Sequence, residues 1–379
     1  MAAKMAALCA IGLMSGTSMD GIDVAMLRTD GRDLVERGPS LFAAYEAAFR
    51  KRIEAALETA KTIVGRNDRP GDLAGLEREL TLRHASAVDQ FLVGPAGGWG
   101  RPEIIGFHGQ TVLHRPDQAL TVQLGDGALL ARRTGLPVVY DMRANDMVFG
   151  GQGAPLVPAY HAALARSLPT PFAEKHPVVF VNVGGISNIT YVPEAGDPVA
   201  FDTGPGNTLI DQWVAREGGV PFDAGGAIAS EGRIVLTVVE NYLGNPFFAK
   251  AGPKSLDRND FTLALAEGLE LSDGARTLAA VSAEAILKSA EHMPDKPKLW
   301  IVCGGGRKNP HIVGDLRAGA AGHGADVIVA EEAGLNGDAT EAEAWAYLAM
   351  RSLANLPLTF PTTTGCRQAV TGGVVARPL

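Results

Sequence analysis

Asp202 is the residue of this sequence best placed to do acid–base chemistry. It lies in Phe201-Asp-Thr-Gly-Pro-Gly-Asn207, directly after the apolar run Val199–Phe201. The run predicts a strand that ends near Asp202, and Asn207 is predicted to cap the following helix. Ligands collect at the carboxyl ends of strands in open α/β sheets, so Asp202 is predicted to take a proton from an attacking hydroxyl or water. The alternative is that its carboxylate only binds turn amides.

Two glycine-rich hairpins, about half a chain apart, are predicted to bind phosphate. They are Ile11–Leu27 and Val178–Val192, and each turns on Gly beside Ser, Thr, Asn or Asp between two apolar runs. Such turns present backbone N–H groups and small hydroxyls, which suit phosphate oxygens. The pair predicts a nucleotide held between two related lobes. The alternative for the first hairpin is an ordinary turn stabilised by its Asp residues.

The predicted nucleotide-binding residues lie in these hairpins and in two further glycine turns. They are Gly16, Thr17, Ser18, Met19, Asp20, Gly21, Ile22, Asp23, Asn182, Gly184, Gly185, Gly204, Gly206, Gly304, Gly305 and Gly306. Asp20 and Asp23 are the candidate ligands of a Mg²⁺ ion that bridges phosphates, and the sequence leaves open which of the two holds it. The glycines from Gly304 suit a flat base or ribose. A dinucleotide fingerprint fails there because Asn309 replaces its third glycine, and the chain has no P-loop motif.

Polar residues suited to binding a sugar are spread over several predicted elements. They are His108, Gln110, Gln123, Arg143 and Glu341. Arg143, in the long glycine-rich passage from Asp141 to Pro158, is the predicted partner of an anionic ligand group, with pairing to Asp141 or Asp146 as the alternative. Glu341 begins a predicted helix, where the helix dipole alone favours an acid. His108 and His114 lack a third ligand at metal-binding spacing.

Strands alternate with amphipathic helices along the chain, which predicts an α/β architecture. Helices are predicted over 40–61, 73–93, 272–291 and 340–355, and a short one follows Asp126. Strands are predicted at 103–107, 120–124, 138–140, 298–302 and 326–330. The tail from Pro361 retains several valines and is predicted to be ordered.

Composition excludes several classes of protein. The 379 residues are 46% hydrophobic and 20% charged, with a formal net charge of −8, which is ordinary for a globular protein and disfavours nucleic-acid or anionic-membrane binding. The length favours two domains. Cys9, Cys303 and Cys366 form no disulfide-like or metal-like spacing, which predicts a cytoplasmic protein. The apolar N-terminus is interpreted as a buried strand rather than a signal peptide, and no run is long enough to span a bilayer.

The motifs, taken together, resemble the anhydro-N-acetylmuramic acid kinase family of the actin-like, sugar-kinase and Hsp70 ATPase superfamily. The resemblance covers nearly the whole chain. It is carried by MSGTSMDGID, FHGQTVLHRP, QLGDG, GGQGAPLVP, NVGGISNIT, FDTGPGNTLID, CGGGRKNP, EAEAWA and PTTTGC. The departures are conservative, such as Trp345 where the family usually has Phe.

This resemblance implies two ribonuclease-H-like lobes with ATP and a sugar in the cleft between them, in a homodimer. The lobes are expected at 1–140, completed by 358–379, and at 141–357. The implied reaction opens the 1,6-anhydro ring of 1,6-anhydro-N-acetylmuramic acid with water and phosphorylates O6. Asp202 matches the family's base, and Gly16 to Asp23 match its nucleotide loop. The implied cofactors are ATP and Mg²⁺.

Two other functions fit parts of the sequence. A kinase for another sugar would use the same motifs. An actin-like ATPase that changes shape for a partner would share the glycine loops, but it would have no need of the polar set around His108 and Arg143.

Overall fold

The computed structural model describes residues 6–256 and 260–378, and these divide into two compact units. The first holds the described residues up to Ser167 and those from Ala339 onward, and the second is Leu168–Asp338. These bounds differ from the expected lobes, 1–140 with 358–379 and 141–357.

The strands and helices alternate, as predicted. The strands are β1 Leu8–Ser15, β2 Gly21–Thr29, β3 Val35–Ala44, β4 Ile104–Arg115, β5 Leu120–Leu124, β6 Val138–Tyr140, β7 Val178–Val183, β8 Ile186–Val192, β9 Val199–Pro205, β10 Leu299–Cys303, β11 Asp326–Val329 and β12 Val374–Ala376. The helices are α1 Ala47–Ala60, α2 Leu73–Val93, α3 Gly127–Thr134, α4 Ala144–Val148, α5 Pro158–Arg166, α6 Thr208–Gly218, α7 Leu236–Leu243, α8 Leu271–Lys288, α9 Pro310–Ala321, α10 Thr340–Leu353 and α11 Pro361–Thr364.

The sheets of the two units share one strand order. The first runs β12-β6-β4-β1-β2-β3, with β5 paired to β4, and the second runs β11-β10-β7-β8-β9. In the first sheet β1, β2 and β3 are antiparallel, and β4 and β6 run parallel to β1. In the second sheet β7, β8 and β9 are antiparallel, and β10 and β11 run parallel to β7. The predicted α/β class and the two ribonuclease-H-like halves are therefore confirmed, as are both glycine hairpins.

Apolar strands form the centre of each unit because helices cover them. In β1, Ile11 and Leu13 are fully buried, and in β7 Val179 and Val181 are fully buried. Helix α10 lies on the first sheet at two glycines, Gly12 and Gly106, where an added Cβ would fall 1.7 Å from Ala342 O and 2.0 Å from Trp345 O. This contact places α10 in the first unit, although the lobe expected from the sequence put it in the second.

Three predicted elements differ from the structure. The helix predicted from Ser40 begins at Ala47, because 35–44 pair with β2 as an edge strand. The strand predicted to end at Phe107 continues to Arg115, because its polar half pairs with β5. Asp202 lies inside β9 rather than at the end of its strand, opposite Asn188 of β8. In each case pairing with the neighbouring strand in the chain overrides the local pattern.

Candidate active site

The turn between β1 and β2 is held in place by Gln110. Ser15 Oγ donates to Gln110 Oε1 at 2.6 Å, and Gln110 Nε2 donates to the carbonyl of Gly16 at 3.1 Å. The Tyr45 hydroxyl lies 2.9 Å from Ser15 Oγ. Gln110 is almost fully buried. Its amide is therefore occupied with positioning the turn, whereas the sequence interpretation had it bind a sugar.

The two predicted magnesium ligands differ in surroundings. Asp20 is exposed and accepts a hydrogen bond from Ser18 Oγ at 2.6 Å, while Asp23 is half-buried on β2. Within residues 6–256 and 260–378, no group of three or more His, Cys, Asp or Glu side chains could hold a metal ion. One or two carboxylates fit a magnesium ion that arrives with a nucleotide, since Mg²⁺ keeps waters and takes phosphate oxygens for its other ligands.

His108 connects the β1 end to Arg143. Its Nδ1 lies 3.3 Å from the carbonyl of Ser15, and its Nε2 lies 3.1 Å from Nη2 and 3.3 Å from Nε of Arg143. Because a carbonyl only accepts and a guanidinium only donates, His108 is neutral with its proton on Nδ1. Burial, then the Arg143 charge, holds the pKa of His108 well below its usual value.

Trp345 of α10 completes this group. Its ring centroid lies 4.5 Å from that of His108 and 5.3 Å from the Arg143 guanidinium carbon. Its Nε1 lies 3.1 Å from the Met14 sulfur, next to the β1–β2 turn. Trp345 therefore fixes both His108 and Arg143 by its apolar face, a role that the sequence interpretation did not assign to it.

Arg143 and Glu341 are the charged residues of this group, and each acts on the other through its charge. Arg143 Nη1 donates to the carbonyl of Gly153 at 2.9 Å, and desolvation lowers the arginine pKa to about 10 against the opposing effect of Glu341. Glu341 is an exposed residue, yet desolvation of its carboxyl raises its pKa. The Arg143 charge opposes that rise. Of the two alternative partners of Arg143, Asp141 pairs with Arg66 instead, whereas the charge of Asp146 does act on Arg143 and helps to oppose the lowering of its pKa.

Asp146 anchors the glycine-rich loop after Arg143. Its carboxylate is almost fully buried, and it accepts from Thr359 Oγ1 at 2.6 Å, Thr364 Oγ1 at 2.7 Å and the Gly153 amide at 2.6 Å. The threonines belong to the tail segment 359–366, which includes the PTTTGC motif and which the sequence left without a role. The tail therefore holds the loop that carries Arg143.

In the second unit, the hairpin between β7 and β8 packs against the start of α6. Gly206 N donates to Gly185 O at 2.9 Å, and Asn207 N donates to Gly184 O at 2.8 Å. A Cβ on residue 206 would lie 2.3 Å from Gly184 O, so only glycine fits there. The sequence predicted that the Asn207 side chain caps α6, but it makes no capping hydrogen bond there. Its side-chain amide instead donates to the carbonyls of Val183 and Gly184, both at 3.2 Å.

The glycines after β10 join the same cluster. Gly304 has φ +72°, and a Cβ there would lie 2.3 Å from Asn182 Oδ1. A Cβ on Gly306 would lie 2.2 Å from the Val183 side chain. Asn182, Gly184, Gly185, Gly206 and Gly304–Gly306 thus lie together at the carboxyl ends of β7 and β10, where backbone can approach a ligand closely. Gly204 differs, since its free side faces Ala285 and Phe248 in the core.

Asp202 is half-buried on β9. Its Oδ2 accepts from the Leu256 amide at 2.8 Å, and within the part of the chain that the structure describes Oδ1 has no hydrogen bond. Burial raises the pKa of Asp202 to about 6, and the Leu256 amide opposes the rise. The carboxylate is therefore ionised at neutral pH, yet basic enough to accept a proton.

We expect the tautomer of His108 to be visible by NMR. In protein with ¹⁵N-labelled histidine, the His108 signals should show a protonated Nδ1 and an unprotonated Nε2, unchanged between about pH 6 and 8. The His108→Gln variant assigns the signals. A titration in this range would show that the Arg143 contact does not hold.

The comparison with known proteins decides the family. A family model described as anhydro-N-acetylmuramic acid kinase matches residues 8–378. The chain belongs to this family. A relative of that name from Agrobacterium fabrum (strain C58) is 58% identical over 97% of this chain and 98% of its own length. Another from Rhizobium etli is 57% identical with the same coverage.

Solved structures match more weakly than these family members. A ROK family glucokinase from Streptomyces griseus, in complex with glucose and AMPPNP, has a TM-score of 0.39 and 16% identity over 89% of this chain and 97% of that one. No helix in the described ranges, 6–256 and 260–378, is long and apolar enough to cross a membrane. Cys9, Cys303 and Cys366 form no disulfide.

Proposed function

We propose that this chain phosphorylates 1,6-anhydro-N-acetylmuramic acid with ATP while opening its anhydro ring with water. The products are N-acetylmuramic acid 6-phosphate and ADP, in recycling of the cell wall. The family match over residues 8–378 supports the substrate. The observation that carries the chemistry is the Asp202 carboxylate, with one oxygen fixed by the Leu256 amide and a pKa raised to about 6.

The anhydro sugar has no free 6-hydroxyl, so the reaction must begin at the anomeric carbon. Asp202 takes a proton from a water molecule while the water oxygen bonds to the anomeric carbon. The bond from that carbon to O6 breaks at the same time. The electron pair left on O6 attacks the γ-phosphorus of ATP, and ADP leaves. One water and one ATP are consumed for each sugar, and the proton held by Asp202 returns to solvent.

The two glycine hairpins hold the nucleotide in this proposal. Backbone amides around Gly16, Gly184 and Gly304 bind phosphate and nucleoside groups, and Asp20 or Asp23 would hold Mg²⁺. Bound there, the ion would supply charge neutralisation for the phosphates. The group of His108, Arg143, Glu341 and Trp345 binds the sugar, with His108 acting through Arg143. The protein works in the cytoplasm as a homodimer.

The test is a coupled assay with the purified protein, ATP and Mg²⁺. We expect ADP release only when the anhydro sugar is added, in equal amounts with the 6-phosphate product. In ¹⁸O-labelled water, the label should enter the sugar and not the transferred phosphate. ADP release that no sugar stimulates would favour the ATPase switch instead, and activity on other sugars alone would favour a different sugar kinase.

The pH dependence follows from Asp202. A general base works only when ionised, so kcat/KM for the sugar should fall about tenfold per unit below pH 6 and level off above it. The measurement is initial rate against pH at saturating ATP. A profile that stays flat down to pH 5 would exclude Asp202 as the base.

A further inference from the structure

A polar cavity of the first unit has no assigned role. Its volume is about 170 Å³, and its lining includes Arg66, Asn67, His108, Gln123, Tyr140 and Asp141. Whole-ligand pockets usually measure about 300–1,000 Å³. The cavity therefore suits one substituent of a ligand rather than a complete sugar.

The cavity lies beside the predicted sugar-binding group, because His108 belongs to both. His108 lines the cavity, and its Nε2 accepts from Arg143. Gln123 lies on another wall, with its Nε2 donating to Thr111 Oγ1 at 3.1 Å and Thr121 Oγ1 at 2.8 Å. His108 is therefore the residue at which the cavity adjoins the group that includes Arg143.

The two arginines of the lining differ in how many N–H donors remain without a hydrogen bond. Every guanidinium nitrogen of Arg69 donates, with Nε and Nη2 on Glu77 and Nη1 on two backbone carbonyls. Arg66 uses only Nη2, which contacts Asp141 Oδ1 at 2.6 Å and Oδ2 at 2.5 Å. Within residues 6–256 and 260–378, Arg66 Nε and Nη1 have no hydrogen bond. Arg66 thus keeps donors for an anion.

Asp141 and Tyr140 shape the same wall. Asp141 has φ +56°, a strained conformation for a residue other than glycine. It holds the Arg66 guanidinium at the cavity by one nitrogen. Burial, together with the nearby Asp141 charge, raises the pKa of Tyr140, so its hydroxyl stays protonated and can donate. Asp141 balances the charge of Arg66, and Glu77 balances that of Arg69, so the cavity attracts an anion through the unused N–H donors of Arg66.

We propose that this cavity binds the carboxylate of the lactyl ether that distinguishes muramic acid from plain N-acetylglucosamine, with Arg66 as the residue that selects it. The inference rests on the proposed function, since the lactyl carboxylate belongs to that substrate. A three-carbon acid fits the volume, and the Nε and Nη1 donors of Arg66 match a carboxylate. Arg66 is thus a specificity residue that lies away from the reacting atoms.

The experiment pairs a protein change with a substrate change. The wild type and Arg66→Gln are assayed with 1,6-anhydro-N-acetylmuramic acid and with its carboxamide, in which the lactyl acid is neutral. We expect the variant to lose about tenfold to a hundredfold in kcat/KM on the acid, as for a lost charge-assisted contact, and little on the carboxamide. Arg66→Lys, which keeps the charge, should recover part of the loss.

Arg50→Gln is the matched control, because Arg50 is an exposed arginine of the same unit in an ion pair with Glu54. It should leave both rates unchanged. Equal losses on acid and carboxamide in Arg66→Gln would indicate a structural role and overturn the inference, as would no loss on the acid. A wild type that phosphorylates neither compound overturns the proposed function itself, and this inference with it.

Discussion

Replacing Asp202 with Asn should reduce kcat by about a hundredfold or more, the usual contribution of a general base. The amide keeps the shape of the side chain and can still accept from the Leu256 amide, but it cannot take a proton from water. Affinity for ATP should be unchanged. The measurements are initial rates with the anhydro sugar and titration calorimetry with a non-hydrolysable ATP analogue.

A second acid of the same unit provides the control for Asp202→Asn. Glu284 lies on α8, and partial burial raises its pKa also. Glu284→Gln removes a comparable charge away from the predicted reaction, so its turnover should stay within a few-fold of wild type. If Asp202→Asn behaved like Glu284→Gln, Asp202 would have no part in the mechanism.

Replacing Gly12 with Ala should destabilise the first unit by about 3 kcal/mol or more, because the overlap is with backbone and cannot be relieved by a rotamer change. The new Cβ would lie 1.7 Å from Ala342 O and 2.7 Å from Ala346 N. Helix α10 would have to lift away from β1. Calorimetry should show the first unit melting roughly 10 °C lower.

Gly314→Ala separates this effect from a general response to alanine. Gly314 is exposed on α9, and a Cβ there would have nothing within 4 Å. Alanine is the better helix former by up to about 1 kcal/mol, so this variant should be neutral or slightly more stable. Equal melting of wild type and Gly12→Ala would show that α10 does not press on β1 as described.

Local patterns predicted the elements whose neighbours in sequence decide them. Helix α2 and strands β5 and β6 have the predicted bounds, and Asp126 caps α3 by accepting from the Leu129 amide at 2.8 Å. The polar residue types and their places in the predicted elements led to the group of His108, Arg143 and Glu341. What these patterns could not supply were contacts between segments far apart in the chain.

The division of labour within the site depends on such distant contacts. Gln110 and Ser15 are 95 residues apart, so nothing in either motif shows that the Gln110 amide is used on the turn. Likewise, Asp146 and Thr364 are 218 residues apart. The residue type shows that an amide or carboxylate can form hydrogen bonds, but the fold decides which group is its partner. Nothing in the sequence indicated that Trp345 packs on His108 and Arg143, since an aromatic residue on a helix usually lies in the hydrophobic core.

The common strand order of the two units points to duplication of a smaller ancestral gene. In both halves a side-chain amide outside the first hairpin donates to a backbone carbonyl of that hairpin. Gln110 donates to Gly16 and Asn207 donates to Gly184. The halves then diverged in chemistry. Asp202 arose on β9, whereas its counterpart strand β3 has a single acid, Glu36, in an exposed pair with Arg28. The two amides lie on elements that do not correspond, since Gln110 is on β4 and Asn207 follows β9, so each half fixes its first hairpin in its own way.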